Sequence, residues 1–211
     1  MKPKSRMIPV EYFHESFEYR EEFVDGVLQG NVYWKYNENK SSRWNTGHAG
    51  KKVGAINDRG YYVTSLRYNG YKCQFKVHTI VWILHENRYP HKNMVMDHID
   101  RNRINNLRKN LREINFYQNS LNSEPSGNKS SMYKGVRYKT HSKTWEMTVT
   151  KNQITVSKCN KDEIQAAILY NQEAIKIHGK EFVFLNDISM GYTNQKYPNM
   201  PRGWEPEKVA A

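Results

Sequence analysis

Alternating apolar and polar side chains predict several short strands in the first third of the chain. Residues 31–35 and 61–68 alternate in this way, and Asn69-Gly70 follows the second run. Asn-Gly beside an alternating run is a strong signal for a two-residue β-hairpin turn, because both residues tolerate positive φ. A helix is predicted to begin near His78, since apolar residues recur there at helical spacing. Its expected buried face consists of Ile80, Val81, Ile83 and Leu84.

The segment from residue 95 to residue 122 has a different pattern. Residues 95–99 alternate as a short strand would, and residues 102–109 form a polar stretch of turn-forming side chains. Residues 111–114 can return as a second strand, and Asn115 can cap a short helix. This order of strand, loop, strand and helix is expected to bring Asp97 and Asn119 face to face.

The last third of the chain predicts a second module. Residues 133–138, 145–150 and 154–157 read as three strands, and residues 161–178 read as a helix that starts with a capping-box-like sequence. The expected apolar stripe of that helix is Ile164, Ala167, Ile168, Asn171, Ala174 and Ile175. A segment of low hydrophobicity, NSEPSGNKSS, separates this module from the preceding one and is typical of a linker.

We therefore predict an α+β fold with five parts. They are a strand-rich segment (1–77), a central segment (78–122), a linker (123–130), a second module built from a three-stranded sheet and one packed helix (131–187), and a tail (188–211).

The charge of the chain indicates a polyanionic partner. The formal net charge is +12 and the pI is about 9.5. Residues 1–25 carry four Lys or Arg and six Asp or Glu side chains, so the positive excess belongs to the rest of the chain. Charge alone does not distinguish DNA, RNA and an anionic membrane.

Other features of the composition exclude several classes of protein. Cys73 and Cys159 are the only cysteines and neither has a CxxC partner, which argues against a structural zinc site and favours reduced thiols. No stretch approaches 18 apolar residues, and the N-terminus lacks the apolar core of a signal peptide. The expected location is the cytoplasm, which is the host cytoplasm if a phage encodes the protein.

Asp97 and His98 are the strongest candidates for chemistry. An acid next to a histidine, with the amide of Asn119 22 residues after the acid, suits a one-metal phosphodiesterase site. Carboxylate and amide oxygens are hard ligands that fit one Mg²⁺ or Mn²⁺ ion. The imidazole of His98 titrates near neutrality and can take a proton from an attacking water. Asn105, Asn106 and Asn115 are expected to fix turns and caps rather than to touch metal.

Residues 77–119, with VH, then DHID, NN and NLR in order, resemble the HNH endonucleases with a ββα-metal fold, especially the homing type of phages and introns. The resemblance implies that Asp97 and Asn119 hold the metal and that His98 is the general base. It also implies that Asn110 braces the loop through backbone hydrogen bonds. His78 matches the histidine that opens the longer motif, with no role assigned.

The same segment departs from the family at Arg101, where glycine usually follows DHID. Arginine tightens the turn sterically but places a cation beside the expected phosphate. We expect Arg101, Arg103 and Arg108 to contact DNA. Basic and aromatic residues also interleave between residues 51 and 76. That pattern suits a DNA-facing side of a sheet, but it equally suits a solvated sheet with ordinary surface lysines.

Residues 131–187, with YKGVRY, a central tryptophan, AAILYN, HG and FLN, resemble the Apetala-type (ethylene-response-factor) DNA-binding domain. The resemblance implies a sheet in the major groove with the helix behind it. Lys134, Arg137 and Lys139 match the DNA contacts of the first strand. On the second strand, Trp145, Met147 and Val149 should face the helix, and Glu146, Thr148 and Thr150 should face DNA. Thr150 replaces a frequent arginine and Ser157-Lys158-Cys159 departs from the usual sequence, so the plant family's target preference does not carry over. The alternative is a small α+β interaction module.

The combined prediction is a site-specific, divalent-metal-dependent endonuclease that hydrolyses phosphodiester bonds of double-stranded DNA by nicking or by cutting both strands. It is expected to act as a monomer or weak dimer without a membrane partner. One alternative is a DNA-binding regulator with an inactive nuclease site, and another is an RNA-binding protein.

Overall fold

The computed structural model describes residues 8–123 and 130–188. The chain divides into two compact units, Met1–Phe116 and Tyr117–Ala211. Most of the predicted linker, residues 124–129, and most of the predicted tail, residues 189–211, lie outside the described residues. The described parts form several small antiparallel sheets and helices, so the predicted α+β class is confirmed.

The first unit contains three α-helices, one short 3₁₀ helix (Arg108–Asn110) and seven strands within its described residues. The helices are α1 (Val10–Ser16), α2 (Ser42–His48) and α3 (Val77–Glu86). The strands are β1 (Phe17–Val24), β2 (Val27–Trp34), β3 (Ala55–Ile56), β4 (Tyr62–Tyr68), β5 (Tyr71–Lys76), β6 (Met94–His98) and β7 (Leu111–Asn115). They form a β1-β2 hairpin, a sheet in the order β3-β4-β5, and a β6-β7 hairpin.

Tight turns with positive φ close two of these hairpins. Asn69 and Gly70 have φ of 47° and 78° between β4 and β5, which confirms the predicted turn. Asp25 and Gly26 adopt the same conformation between β1 and β2. Both connections are therefore set by local sequence.

Aromatic residues of the N-terminal segment pack the core of the first unit. Phe13 is fully buried, and its ring lies 5.2 Å from that of Phe75 and 5.8 Å from that of Tyr89. Ile80, Val81 and Ile83 of α3 are fully buried, and Leu84 is partly buried, as predicted. This core fixes the start of α3, and with it His78.

The second unit contains α4 (Phe116–Asn122, which begins at the last residue of the first unit), β8 (Val136–Lys139), β9 (Thr144–Lys151), β10 (Ile154–Asn160) and α5 (Glu163–His178). The sheet is antiparallel with β9 in the middle. Asp162 caps α5 by accepting a hydrogen bond from the Gln165 amide at 2.8 Å. The predicted module of three strands and one packed helix is therefore present.

The buried stripe of α5 includes Ala167 and Ala174, as predicted, but otherwise differs from the predicted one. Ala166, Ala167, Tyr170 and Ala174 are buried against β9, whereas Ile175 is 39% exposed. Small alanines let the helix lie close to Trp145, Met147 and Val149, so the helix is rotated away from the larger isoleucine. Apolar size misled the prediction, because close approach favours alanine at the centre of the contact.

Asparagines join the end of the second module to its beginning. The Asn186 side chain accepts from the Lys134 amide at 2.7 Å and donates to the Lys134 carbonyl at 3.1 Å. The side chain of Asn171 on α5 in turn binds both backbone groups of Asn186, at 2.8 and 3.0 Å. The asparagines of the AAILYN and FLN motifs therefore hold the module closed.

None of the helices in residues 8–123 and 130–188 has the length and apolar composition of a membrane span.

Candidate active site

Strand β6 ends at the two residues that the sequence singled out. Asp97 and His98 are both buried, with 8% and 3% of their surface exposed. They pair with Arg112 and Leu111 of β7. Adjacent strand residues point to opposite faces, so the strand itself separates the carboxylate from the imidazole.

A network of side-chain amides and one carboxylate fixes the loop between β6 and β7. Asn110 accepts from the Asp100 amide at 3.0 Å and donates to the Asp100 carboxylate at 2.8 Å and to the Asn105 carbonyl at 2.9 Å. The Asp100 carboxylate also accepts from the Asn102 amide and from the Asn105 side chain. Backbone bonding from Ile99 to Asn110 at 2.9 Å closes the loop at its base. These contacts are of the kind that the resemblance implied for Asn110, whose functional role stays a prediction.

His98 lies in a buried cluster of rings and amides. Its Nε2 is 3.3 Å from Oδ1 of Asn106, and its ring centroid is 5.0 Å from that of His78 and 6.0 Å from that of Tyr61. Burial lowers the pKa of His98, although Asn106 and the nearby carboxylates of Asp100 and Asp97 act in the opposite direction. The imidazole is therefore biased toward its neutral form, which can accept a proton.

His78 is the neighbour that supports His98 from α3. Burial lowers its pKa well below the usual range, and the charges of His98 and Lys76 add to the effect. Its ring also meets Tyr61 edge to face at 5.5 Å. His78 is therefore a neutral packing partner of His98 in this arrangement, and a catalytic role for it stays a prediction.

The hairpin of β1 and β2 packs against the loop between β6 and β7. An added Cβ at Gly30 on β2 would lie 2.5 Å from the Asn106 carbonyl oxygen, so only glycine allows this approach. The Tyr19 hydroxyl on β1 accepts from the Arg108 amide at 3.0 Å and donates to Glu21 at 2.8 Å. Residues far from the motif in sequence thus contact the loop that carries Asn106, the partner of His98.

Arg101 adopts a backbone conformation that explains why the family usually has glycine at this position. Its φ is 64°, in the left-handed region that glycine adopts without steric cost. Its amide donates to the His98 carbonyl at 2.9 Å, which forms the turn after β6. The glycine usual at this position therefore corresponds to a physical requirement of the turn.

Asp97 has the chemistry expected of a metal ligand. Its Oδ2 accepts from Nε of Arg112 at 3.0 Å, which orients a carboxylate that the fold has taken out of water. Within residues 8–123 and 130–188, no three His, Cys, Asp or Glu side chains group as a metal site. A cation here would therefore rely on Asp97 together with amide and water oxygens, a donor set that suits Mg²⁺ or Mn²⁺.

Asn119, the second predicted ligand, lies on α4 and belongs to the second unit. Leu121 packs with the core of that unit, and its carbonyl accepts from the Phe184 amide at 2.9 Å. The Lys134 ammonium binds three carbonyls at the end of α4, those of Ser120, Leu121 and Ser123. The helix that carries Asn119 is thus supported by the second module.

The residues predicted to bind DNA have different surroundings. Arg103 is exposed and donates to the Arg59 carbonyl at 2.9 Å. Arg108 is held by Glu86, by the Leu111 carbonyl and by the Trp82 ring. The remaining predicted contacts lie in the second unit, where they are Lys134, Arg137, Lys139, Thr148 and Thr150.

Arg137 and Lys139 both bind Glu146, at 2.6 and 2.8 Å, and Ser157 donates to the same carboxylate at 2.9 Å. Hydrogen bonds from Lys139, Arg137 and Ser157 lower the pKa of Glu146 to about 2. Thr150 bonds across the sheet to Thr155 at 2.9 Å. On the outer face of this sheet, Arg137, Lys139 and Thr150 therefore already have protein partners.

Sequence reasoning missed Asn106, Tyr61 and Gly30. Asn106 was assigned to turns with its neighbour Asn105, because an asparagine-rich loop gives no periodic signal of which amide is buried. Asn105 does hold a turn, since its Oδ1 accepts from the Leu107 amide at 3.3 Å. Tyr61 follows a turn sequence and shows no link to His98 until the sheet is folded.

The segment that contains Asp97 and His98 is similar to known proteins. Residues 75–121 match the model of the HNH endonuclease family. An uncharacterised HNH endonuclease of Acanthamoeba polyphaga mimivirus is 37% identical over 117 residues, which is 54% of this chain and 59% of that protein. The chain thus spans about three fifths of the curated relative's length. A solved structure described as DNA binding and cleavage by the HNH homing endonuclease I-HmuI is 26% identical, with coverage of 49% of this chain and 55% of that chain and a TM-score of 0.32. Residues 75–121 are thus similar to the HNH endonuclease family.

Proposed function

We propose that this protein is a divalent-metal-dependent DNA endonuclease of HNH type that cuts at preferred sites. The observation that carries the proposal is the buried His98, biased toward its neutral form next to Asp97 and bonded to Asn106. This arrangement lies within the segment that matches the family. A neutral, oriented imidazole, with a carboxylate on the adjacent residue of the same strand, suits hydrolysis of a phosphodiester bond by an activated water.

His98 would act as the general base through one defined nitrogen. The Oδ1 of Asn106 can only accept a hydrogen bond, so the 3.3 Å contact requires the proton on Nε2 of His98. The basic lone pair is then on Nδ1, which takes the proton from water. Asn106 fixes this tautomer, and Gly30 fixes Asn106.

Asp97 and Asn119 would hold one Mg²⁺ or Mn²⁺ ion. A bound ion of this kind stabilises negative charge that develops on the phosphate and on the leaving oxygen. Arg112 orients the Asp97 carboxylate toward this task. Asn110 keeps the loop closed, so that Asp97 and His98 keep their places on β6.

The second module would read the DNA sequence in the manner of an Apetala-type domain. Its sheet of three strands, with one helix packed by Ala166, Ala167 and Ala174, supports this assignment. The pairing of Asn171 with Asn186 gives a structural reason for two of the motifs that carry the resemblance. Arg137 and Lys139 on the outer face would contact duplex DNA, which we propose as the substrate of a monomer or weak dimer.

The test is incubation of the pure protein with supercoiled and linear duplex DNA, with Mg²⁺, with Mn²⁺ or with EDTA. We expect nicked or linear products with a divalent ion and intact DNA with EDTA. Binding without cleavage under every metal condition would reject the nuclease and favour a DNA-binding regulator. Preferred binding of single-stranded RNA would instead favour an RNA-binding protein.

A further inference from the structure

Two cationic side chains of the first unit lie over one aromatic ring, and a third cationic residue is close enough to repel one of them. The Lys76 ammonium lies 4.0 Å from the centre of the Tyr61 ring, and the Arg103 guanidinium lies 5.2 Å from the same centre. Arg103 also donates to the Arg59 carbonyl at 2.9 Å, which brings the third cationic residue into the group. We call Lys76, Arg59 and Arg103 the Tyr61 cluster.

The backbone holds the Tyr61 cluster in place. The Asn57 side chain accepts from the backbone amides of Arg59 and Tyr61, at 3.1 and 2.9 Å, and the Asn57 backbone amide donates to the Tyr61 carbonyl at 2.9 Å. Lys76 is the last residue of β5, so the sheet fixes its backbone. The three side chains are exposed, yet their attachment points are ordered by the turn, the strand and the active-site loop.

The positive charge of the cluster is not neutralised by described parts of the protein. No carboxylate of residues 8–123 or 130–188 forms an ion pair with Lys76, Arg59 or Arg103. The nearby Asp100 is engaged by the amides of the loop. Desolvation, followed by repulsion from Arg103 and Arg59, lowers the pKa of Lys76. An anion bound among the three groups would remove this repulsion.

The position of the cluster relates it to the chemistry. The Tyr61 ring that the cations approach also touches His98 and His78, with centroids at 6.0 and 5.5 Å. An anion held by the cluster would therefore be separated from His98, the proposed general base, by about the width of the Tyr61 ring. Successive phosphates of one DNA strand follow each other at about 3.4 Å along the helix axis, so one strand can present two neighbouring phosphates to this region.

We propose that Lys76, Arg59 and Arg103 form a phosphate-binding site for a backbone phosphate of duplex DNA adjacent to the phosphodiester presented to His98. The inference rests on the proposed function and assigns a substrate contact to it. The contact is independent of base sequence, and it positions the strand rather than selecting the target. Guanidinium groups suit this role, because they bind phosphate oxygens in pairs.

The experiment compares wild type with Lys76→Gln, Arg103→Gln and the double variant. Lys92→Gln is the control, since Lys92 is an exposed lysine of the same unit outside the cluster. Binding to a short duplex is measured in EDTA at several salt concentrations, so that no cleavage interferes. Thermal unfolding of each variant is recorded, and little change is expected because the substituted side chains are exposed.

The slope of log affinity against log salt is negative. We expect it to become less negative by about 0.9 in the double variant, the value for one lost phosphate contact. Affinity at low salt should fall about tenfold, and Lys92→Gln should bind as wild type does. An unchanged slope in the double variant would overturn the inference, and so would an equal loss in Lys92→Gln. Absence of any binding of duplex DNA by wild type would overturn it as well.

A parallel cleavage assay with Mg²⁺ separates the two proposals. If the slope changes as expected but wild type cuts no DNA, the phosphate site stands and the nuclease proposal fails. If wild type cuts DNA and the slope does not change, the nuclease proposal stands and the phosphate site is wrong.

Discussion

The two units of this protein present positive charge in different ways. On the outer face of the β8-β9-β10 sheet, Arg137 and Lys139 both pair with the buried carboxylate of Glu146. In the first unit, Lys76 and Arg103 approach a neutral tyrosine ring and have no carboxylate partner among the described residues. Both regions were expected to meet DNA, but only one already contains the charges that a phosphate would supply.

This difference teaches that a count of lysines and arginines does not locate a nucleic-acid surface. A cation paired with a buried acid must give up or share that partner before it binds a phosphate, which reduces the gain. A cation without an acid partner gains the full interaction. The excess positive charge of the chain is therefore expected to act most strongly around Tyr61 and the active-site loop.

The largest effect on stability is expected at the loop between β6 and β7 in the first unit. Asn110→Ala removes a buried side chain that makes three hydrogen bonds, and should lower the free energy of unfolding by about 2–4 kcal/mol. Urea unfolding measures this change. The control is Asn102→Ala, whose exposed side chain accepts one long bond at 3.3 Å and should cost less than about 1 kcal/mol. Equal losses in the two variants would mean that the loop does not depend on Asn110.

Within the first unit, Glu113 is an ionised carboxylate that is paired with Arg88, and it can be compared with Glu146. Desolvation raises its pKa, but hydrogen bonds from Arg88 and from the backbone and ring of His91 outweigh this effect and lower the pKa to about 2. The folded-state pKa lies below the unfolded value, so this stabilisation is present above about pH 4.5 and is lost as the pH falls toward 2.

We expect Glu113 to contribute on the order of 2 kcal/mol at neutral pH, with allowance for the exposure of Arg88 and His91. Wild type and Glu113→Gln should differ in unfolding free energy at neutral pH and converge as the pH falls below 4.5. A constant difference between them across that range would show that the carboxylate charge is not responsible.

Glu146 tests the second region directly. Glu146→Gln releases Arg137 and Lys139 from their acid, and should tighten binding to duplex DNA about fivefold, which corresponds to about 1 kcal/mol. The matched control is Glu173→Gln, which removes an acid that pairs with Lys158 in the same unit. Gel-shift titrations of both variants at one salt concentration suffice. Weaker binding by Glu146→Gln would instead mean that Glu146 orients the two cations for DNA.

The smallest effect is expected at Arg101. Arg101→Gly relieves the left-handed strain but makes the unfolded chain more flexible, so the net gain in stability should be about 0.5 kcal/mol. Lys143→Gly, on the β8-β9 turn with φ of 51°, is the matched backbone control and should gain a similar amount. Only Arg101→Gly should also weaken DNA binding, because Arg101 is expected to lie beside a phosphate. Identical DNA affinities for the two variants would remove Arg101 from the interface.

Local chemistry explains which parts of the structure the sequence predicted. The Asn69-Gly70 hairpin and the buried face of α3 depend on turn propensity and periodicity, and both are confirmed. The contact of Asn106 with His98 depends on Gly30 and Tyr19, which lie far from both residues in sequence. No local pattern reports such a contact.

The support of α4 illustrates the same limit. Its sequence predicts a short helix, but its last carbonyls are satisfied by Lys134 and Phe184 of the second unit. A short helix depends on such tertiary contacts, because it has few hydrogen bonds of its own. The dependence of Asn119 on the second module therefore emerges only from the fold.

The central claim is that His98, in the segment similar to HNH endonucleases, activates the water that cleaves DNA. The direct measurement is the single-turnover rate of plasmid cleavage in Mg²⁺ by wild type and by His98→Ala, with DNA affinity measured in EDTA on the same preparations. His141→Ala, at an exposed turn of the second unit, is the matched control. The account predicts a loss of about 10²–10⁴-fold in rate for His98→Ala with nearly unchanged affinity, and a wild-type rate for the control. Cleavage by His98→Ala at the wild-type rate would contradict the account.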